Sequence, residues 1–216
     1  YAYPQATQQM LEDVFFNAEA WIGEEVATEF ARAEGAAFVS GDGTKKPKGF
    51  LAYTTAATAD SARAFGTLEH VATGVAADWA ASNPQDVLLT LVYKLKAGFR
   101  SNARFVMNKG ILADVRKWKD TTGNYVWRPG LEAGQPDTLL GYGITEAEDM
   151  PAKAANALPI AFGDFSRGYL IVDRIGTSIL RDPYTAKPYV GFYTRKRLGG
   201  CVVDSEAIKV IKIAAA

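Results

Sequence analysis

Apolar residues recur at steps of three and four from Gln8 to Phe38: Leu11, Phe15, Ala18, Ile22, Val26, Phe30, Ala33 and Ala37, with Val14 in the same stripe. That spacing predicts one amphipathic helix of about eight turns. A second apolar face, Val87, Leu88, Leu91, Val92 and Leu95, follows Asn83-Pro84, which predicts a helix with Asn83 as N-cap and Pro84 at its first position. "ARFVMN" predicts a short buried strand. Asn108 then caps a helix over "KGILADVRKWKD" that turns Ile111, Leu112, Val115 and Trp118 inward. "TTGNYVW" reads as a turn at Gly123-Asn124 leading into an aromatic strand, hence a hairpin. A further strand is expected around Leu139–Ile144. Beyond it "ALPIAFGDF", "GYLIVDR", "TSILRD", "YVGFYTRKRLGG" and "AIKVIKI" read as strands separated by Gly, Asp and Pro. The small, polar stretch from Ala52 to Gly74 reads as irregular or edge-strand material.

The 216 residues are enough for one large or two small domains, and 48% hydrophobic with 22% charged residues is ordinary globular composition. Net charge is zero, so no overall bias toward nucleic acid or anionic membrane exists. That balance hides an asymmetry. Gln8–Phe38 carries seven acids (Glu12, Asp13, Glu19, Glu24, Glu25, Glu29, Glu34) against Arg32, a charge of −6. From Ser166 onward nine bases against four acids give +5. The acidic helix face is either a solvated surface or one that waits for a basic partner. The basic segment is a candidate for that partner, within one chain or between copies. In an alternating strand Arg195 and Arg197 share one face and Lys196 takes the other, which suits a basic strand edge or interface better than a reader of DNA grooves.

Candidate chemistry is sparse. "VSGDGTKKPKGFL" (39–51) lacks the G-x-x-x-x-G-K-[ST] order of a phosphate loop, carries Pro47 where a donor N–H is needed, and follows a helix rather than a strand. It reads as a glycine-terminated helix end and a basic surface loop. Cys201 is the single cysteine and His70 the single histidine, which rules out an internal disulfide, a cysteine-based metal cluster and an H-E-x-x-H zinc site. Glu69-His70 is the one acid–base pair by proximity, with no nucleophile motif beside it, and His70 is expected to be a lone surface or loop histidine. Cys201, after Gly199-Gly200, is expected to be a buried structural thiol. Asp114, Asp120, Asp137 and Asp149 lack the spacing of a calcium loop. Trp118, Trp127 and Tyr125 are expected in the core rather than stacked on a base or sugar. No apolar run has the length of a membrane span. "YAYPQATQQM" reads as the middle of a longer protein.

Several stretches together resemble tailed-bacteriophage major capsid proteins of the Hong Kong 97 fold. A long helix runs into "SGDGT" and "KGFL". "FVMNKGILADVRKWKDTTGNYVW" is similar to that family's strand, Asn-capped helix and aromatic strand. "TLLGYGITEAEDMP" and "PIAFGDFSRGYLIVDRIGTSILRDPY" follow in the family's order. The resemblance covers nearly the whole chain and implies an α+β fold with a long spine helix, a peripheral-domain sheet and a mixed axial domain. Residues 1–49 would be the spine helix and its exit loop, 50–162 the axial domain, and 163–216 the strands that return to complete the peripheral domain.

The function implied is structural: a phage or prophage shell subunit, not an enzyme, with no cofactor or metal. It would assemble with copies of itself as pentamers and hexamers around DNA, with scaffold or portal proteins as further partners and no membrane. Its place would be the virion capsid, assembled in the bacterial cytoplasm. The family's N-terminal arm and extended loop would lie upstream of Tyr1. Some members crosslink lysine to asparagine with a glutamate's help. Pro188 and Arg195 stand here where that asparagine and glutamate would be, so no such crosslink is expected. Glu24 and Glu25, with Arg195 or Arg197 as partners, are the candidate charge contacts within a domain or between copies. Two other readings remain: an encapsulin-type compartment shell, and an unrelated α+β enzyme or ligand-binding domain.

Overall fold

A computed structural model describes residues 1–119, 123–127 and 138–215. The chain opens with strand β1 (Gln5–Thr7), helix α1 (Gln8–Asp13) and helix α2 (Ala18–Ser40). The single helix expected over Gln8–Phe38 is therefore broken. Val14 leaves α1 in an extended conformation, and the Asn17 side chain accepts the amide of Ala20 to start α2 afresh. Asn in mid-helix competes for backbone donors, and here it acts as an N-cap. The break carries Phe15 out of the apolar stripe, and its side chain is 99% exposed.

Helix α2 ends where the glycines begin. The amide of Gly41 closes on the Ala37 carbonyl at 2.9 Å, and Gly49 N–H bonds to the Gly41 carbonyl at 2.9 Å. A Cβ at Gly41 would meet the carbonyl oxygens of Pro47 and Ala37, and one at Gly49 would meet Val39 and Ser40 backbone. Glycine is thus required at both closing points by close approach of main chain. The 41–49 segment is a tight surface loop. It is tied to later strands by the Lys48 amide on the Gly200 carbonyl (2.9 Å) and by the Tyr169 hydroxyl donating to the Lys48 carbonyl (3.0 Å).

Among the described residues two sheets form. The larger runs in the order β2 (Thr55–Ala56), β3 (Leu68–Ala72), β10 (Ile208–Lys212), β7 (Ile160–Gly163), β4 (Arg104–Met107), β6 (Tyr142–Glu146), β5 (Thr138–Leu139). It is mixed: β2, β3 and β10 are parallel, as are β4 and β6, while β7 runs against both its neighbours. Its middle strands read as continuous apolar runs because both faces are covered. Phe105, Met107, Ile160, Phe162 and Ile211 point to one side, where they meet helices α3 (Asp86–Lys94) and α5 (Lys109–Lys117), with the short helix α4 (Ala97–Arg100) between those two in sequence, through Leu88, Leu91, Ile111 and Val115. Ala161, Ile208 and Val210 point to the other, toward Val39, Phe50 and Met150.

The stretch expected to be irregular or edge material thus contains an interior strand. Leu68–Ala72 sits between β2 and β10, and His70 is a half-buried strand residue, not a loop one. Helix α3 begins later than expected, at Asp86. Asn83, at φ +49°, forms the turn before it and accepts the Asp86 amide through its carbonyl. The strand expected over Leu139–Ile144 is two strands, β5 and β6. They are joined by a two-residue turn with Leu140 and Gly141 both at positive φ, the geometry a tight hairpin needs. Asp120, Thr121, Thr122 and Asp137 lie outside the described residues; of the hairpin expected at "TTGNYVW", Lys119 and Tyr125 form an isolated antiparallel bridge.

The smaller sheet has three strands, β1, β9 (Tyr189–Val202) and β8 (Tyr169–Asp182), all antiparallel. The runs "GYLIVDR" and "TSILRD" are one 14-residue strand with irregular register between Asp173 and Ser178. Of the strands in 163–216, β8 and β9 form this smaller sheet with β1. Strand β10 enters the middle of the larger sheet, because its Ile208, Val210 and Ile211 need cover on both faces.

Candidate functional site

Helix α2 lies along the β8–β9 hairpin. Gly23 approaches Ile179 of β8, and Phe38 packs edge-on against Tyr169, ring centroids 6.0 Å apart. Charges follow the same line. Glu19 meets Arg181 at 2.8 Å and Glu34 meets Lys196 at 2.7 Å. The acidic helix and basic last quarter therefore do meet within the chain, but through residues other than those expected.

Glu24, Glu25, Arg195 and Arg197 are all exposed and form no ion pair with one another. The reason is periodicity. Residues 19, 23, 30 and 34 fall on the sheet-facing side of α2, while 24 and 25 fall on the far side. On β9, Val190, Phe192, Thr194 and Lys196 share one parity, and the first three are buried. Arg195 and Arg197 have the other parity and face out. Arg195 Nε donates to Ser178 Oγ at 3.3 Å. The buried Val190, Phe192 and Thr194 were the signal that could have singled out Lys196.

Between the second half of α2, the 43–47 loop and β9 lies an open groove of about 500 Å3. Phe30, Ala33, Ala37 and Leu198 form its apolar lining, and Lys45, Lys46 and Lys196 stand around it against Glu34. It lacks the paired acids, nucleophile or convergent donors that catalysis uses.

A second charged cluster escaped sequence reasoning. Lys209 on β10 is fully buried and pairs with Asp60 and with Glu69 Oε2 at 2.7 Å. Arg63 bridges both acids, at 2.6 Å to Asp60 and 3.3 Å to Glu69, and Lys94 of α3 reaches Glu69 Oε1 at 2.9 Å. Arg63 also donates to the carbonyls of Thr58, Thr67 and Ser205. Burial alone would raise the Glu69 carboxyl, but Lys209 and Lys94 hold it below its usual range; Lys209 and Arg63 do the same for Asp60 against burial. With every acid satisfied by cations and both carboxyls kept ionised, this is a structural clamp and not an acid–base centre. His70, beside Glu69, is pushed toward its neutral form by burial and by the charges of Lys212 and Lys94. Its Nδ1 is buried without a partner among the described residues.

Cys201, expected to be buried, is exposed. It sits opposite Leu170 on the outer side of the two-stranded hairpin, where no further layer covers it. Trp118 packs against Trp79 at 5.4 Å in the core as expected, whereas Tyr125 is half exposed. Among the described residues no group of His, Cys, Asp or Glu has metal-ligating geometry, and no helix is long and apolar enough to cross a membrane.

The model of the phage capsid family matches residues 1–213. The chain belongs to the phage capsid family. The capsid chain's fold is matched by the capsid of an empty GTA particle solved with C5 symmetry, at 51% identity and a TM-score of 0.92, over 99% of this chain and 72% of that one. The structure of Gordonia phage Cozz matches at 14% identity and TM-score 0.63, over 100% of this chain and 69% of that one. The holo-SrpI encapsulin complex of Synechococcus elongatus PCC 7942 matches at 15% and 0.63, over 98% and 71%. The last two likenesses speak to the fold alone. No curated protein matches the chain. The capsid chain has the Hong Kong 97-type α+β fold, is a structural subunit of a capsid shell, and associates with copies of itself.

Proposed function

We propose that copies of this chain close into an icosahedral shell, meeting around five-fold and six-fold positions, and enclose DNA without reading its sequence. The observation that carries this reading is the family match over residues 1–213, joined to exposed aromatics on the described surface. Heterologous contacts between identical chains close into rings when the rotation allows. Residues 1–49 would be the peripheral spine and exit loop, and 50–162, completed by β10, the axial domain. The β8–β9 hairpin would belong to the peripheral domain. Glu24, Glu25, Arg195 and Arg197 are exposed and are proposed contacts between copies. Assembly would take place in the bacterial cytoplasm, with scaffold and portal proteins as further partners. The role is structural and needs no enzymatic step.

Electron microscopy of the expressed full-length protein tests this. Uniform closed particles are the expected result. A stable monomer or dimer under conditions that include a scaffold or protease overturns it.

A further inference from the structure

The break between α1 and α2 leaves an aromatic corner standing out from the molecule. Phe15 is 99% exposed; Phe16 packs edge-on against it at 5.4 Å and against Trp21 at 6.3 Å. The three rings form one contiguous exposed cluster, and Glu12 and Asp13 lie just before it, both exposed. Burying such an aromatic anchor is strongly favourable, and its full exposure marks an interaction site. The groove at the far end of α2 has the complementary character, an apolar floor of Phe30, Ala33, Ala37 and Leu198 under Lys45, Lys46 and Lys196.

Projection and groove sit at opposite ends of one 23-residue helix, about 20–25 Å apart at 1.5 Å per residue. A chain cannot fill its own groove with its own corner. We infer that the acidic aromatic corner around Phe15 of one copy seats in the lysine-rimmed groove of the next, so that each spine helix is joined head to tail with its neighbour. Charge agrees: an aromatic plug preceded by two carboxylates enters an apolar cleft whose lining carries Lys45, Lys46, Lys196 and Arg197 against the single acid Glu34, which is already paired with Lys196. Such a contact is heterologous. It leaves one free corner and one free groove at every step, and it propagates until a ring closes. Hot spots of this kind are enriched in aromatics set in desolvated pockets.

The inference rests on the shell reading above. Its test uses full-length protein in which exposed Cys201 is replaced by Ser and cysteines are introduced beside the plug and at the groove rim, Asp13→Cys in one chain and Lys45→Cys in another, co-assembled and mildly oxidised. Disulfide-linked pairs joining the two variants are expected, and the double variant D13C/K45C should give a ladder of linked chains beyond dimer. Separately, Phe15→Ser should cut particle yield at least tenfold. Particles of wild-type form that carry no 13–45 link, with the groove crosslinking instead to another segment, overturn the contact and leave the shell reading intact. If the wild-type chain forms no particles, both fall. Undiminished yield from Phe15→Ser also overturns the contact.

Discussion

Lys209 and Glu69 face each other across the parallel pair β10–β3, 2.7 Å apart and closed to solvent. They hold together parts of the chain 140 residues apart in sequence, and Asp60 and Arg63 extend the clamp into the 58–67 loop. Two buried charges cost several kcal/mol to desolvate, so such a pair stabilises only relative to its broken form. Replacing Lys209 by Met leaves two carboxylates facing Arg63 and Lys94 alone. The expected loss is about 3 kcal/mol or more of unfolding free energy, read from the urea midpoint of the full chain. A loss below about 1 kcal/mol would show that the clamp is solvated and dispensable.

The same clamp sets an acid limit. Asp60 and Glu69 are held below their ordinary pKa in the folded chain. Their contribution is complete above the unfolded values of about 4. It is lost as pH falls from there through the lower folded values. From the clamp alone, stability is flat from neutral pH down to about 5 and drops below about 4. His70, held toward its neutral form by burial, adds a separate loss that begins as pH falls below about 6.5 and that Glu69→Gln should not remove. Glu69→Gln should flatten the clamp's own drop. A denaturation series across this range checks it, and an identical slope in the variant would contradict the assignment.

The exit loop of α2 closes on two glycines that have no room for a side chain. Gly49→Ala should cost about 1–3 kcal/mol by overpacking against main chain that cannot swing aside. Gly143→Ala on β6, where a Cβ meets nothing within 4 Å, is the control and should stay within about 0.5 kcal/mol. Equal melting temperatures for the two variants would refute the close-approach argument.

Tyr169 is pushed up to about 12, by burial first and then by Tyr53 and Cys201 nearby. A phenol whose folded pKa is raised favours its neutral form. The stability it contributes is present below about pH 10 and is lost as pH rises toward the folded value. Spectrophotometric titration should show one tyrosine ionising late, and Tyr169→Phe should remove that step. The variant also loses the bond to the Lys48 carbonyl, at about 1 kcal/mol.

Ion pairs between α2 and the hairpin should rank by burial. Glu34–Lys196, about one-fifth exposed on each side, should show the larger coupling in a double-mutant cycle, and Glu19–Arg181, about half exposed, should fall near zero. Reversing Glu24 and Glu25 should leave chain stability within about 0.5 kcal/mol, with any effect appearing in assembly. Melting curves of unassembled chain and particle counts separate the two.

Local chemistry made much of this protein legible in one dimension. Apolar spacing located α2, α3, α5 and the C-terminal strands, Asn108 marked the start of α5, and the glycines of 41–49 marked the end of the spine. Net charge by segment indicated that the first helix and the last quarter would attract. Each of these depends on residues within a turn or two of one another. What tertiary structure alone decided depends on which faces meet. The helical phase put Glu19 and Glu34, not Glu24 and Glu25, against the hairpin. Strand parity chose Lys196 over Arg195 and Arg197. The clamp of Lys209, Glu69, Asp60 and Arg63 joins a strand at the end of the chain to a polar stretch that looked irregular, because a buried carboxylate reads as a surface residue until its cation is placed beside it. Phe15 fits an apolar stripe on paper and stands in solvent in the fold, because Asn17 restarts the helix two residues after it.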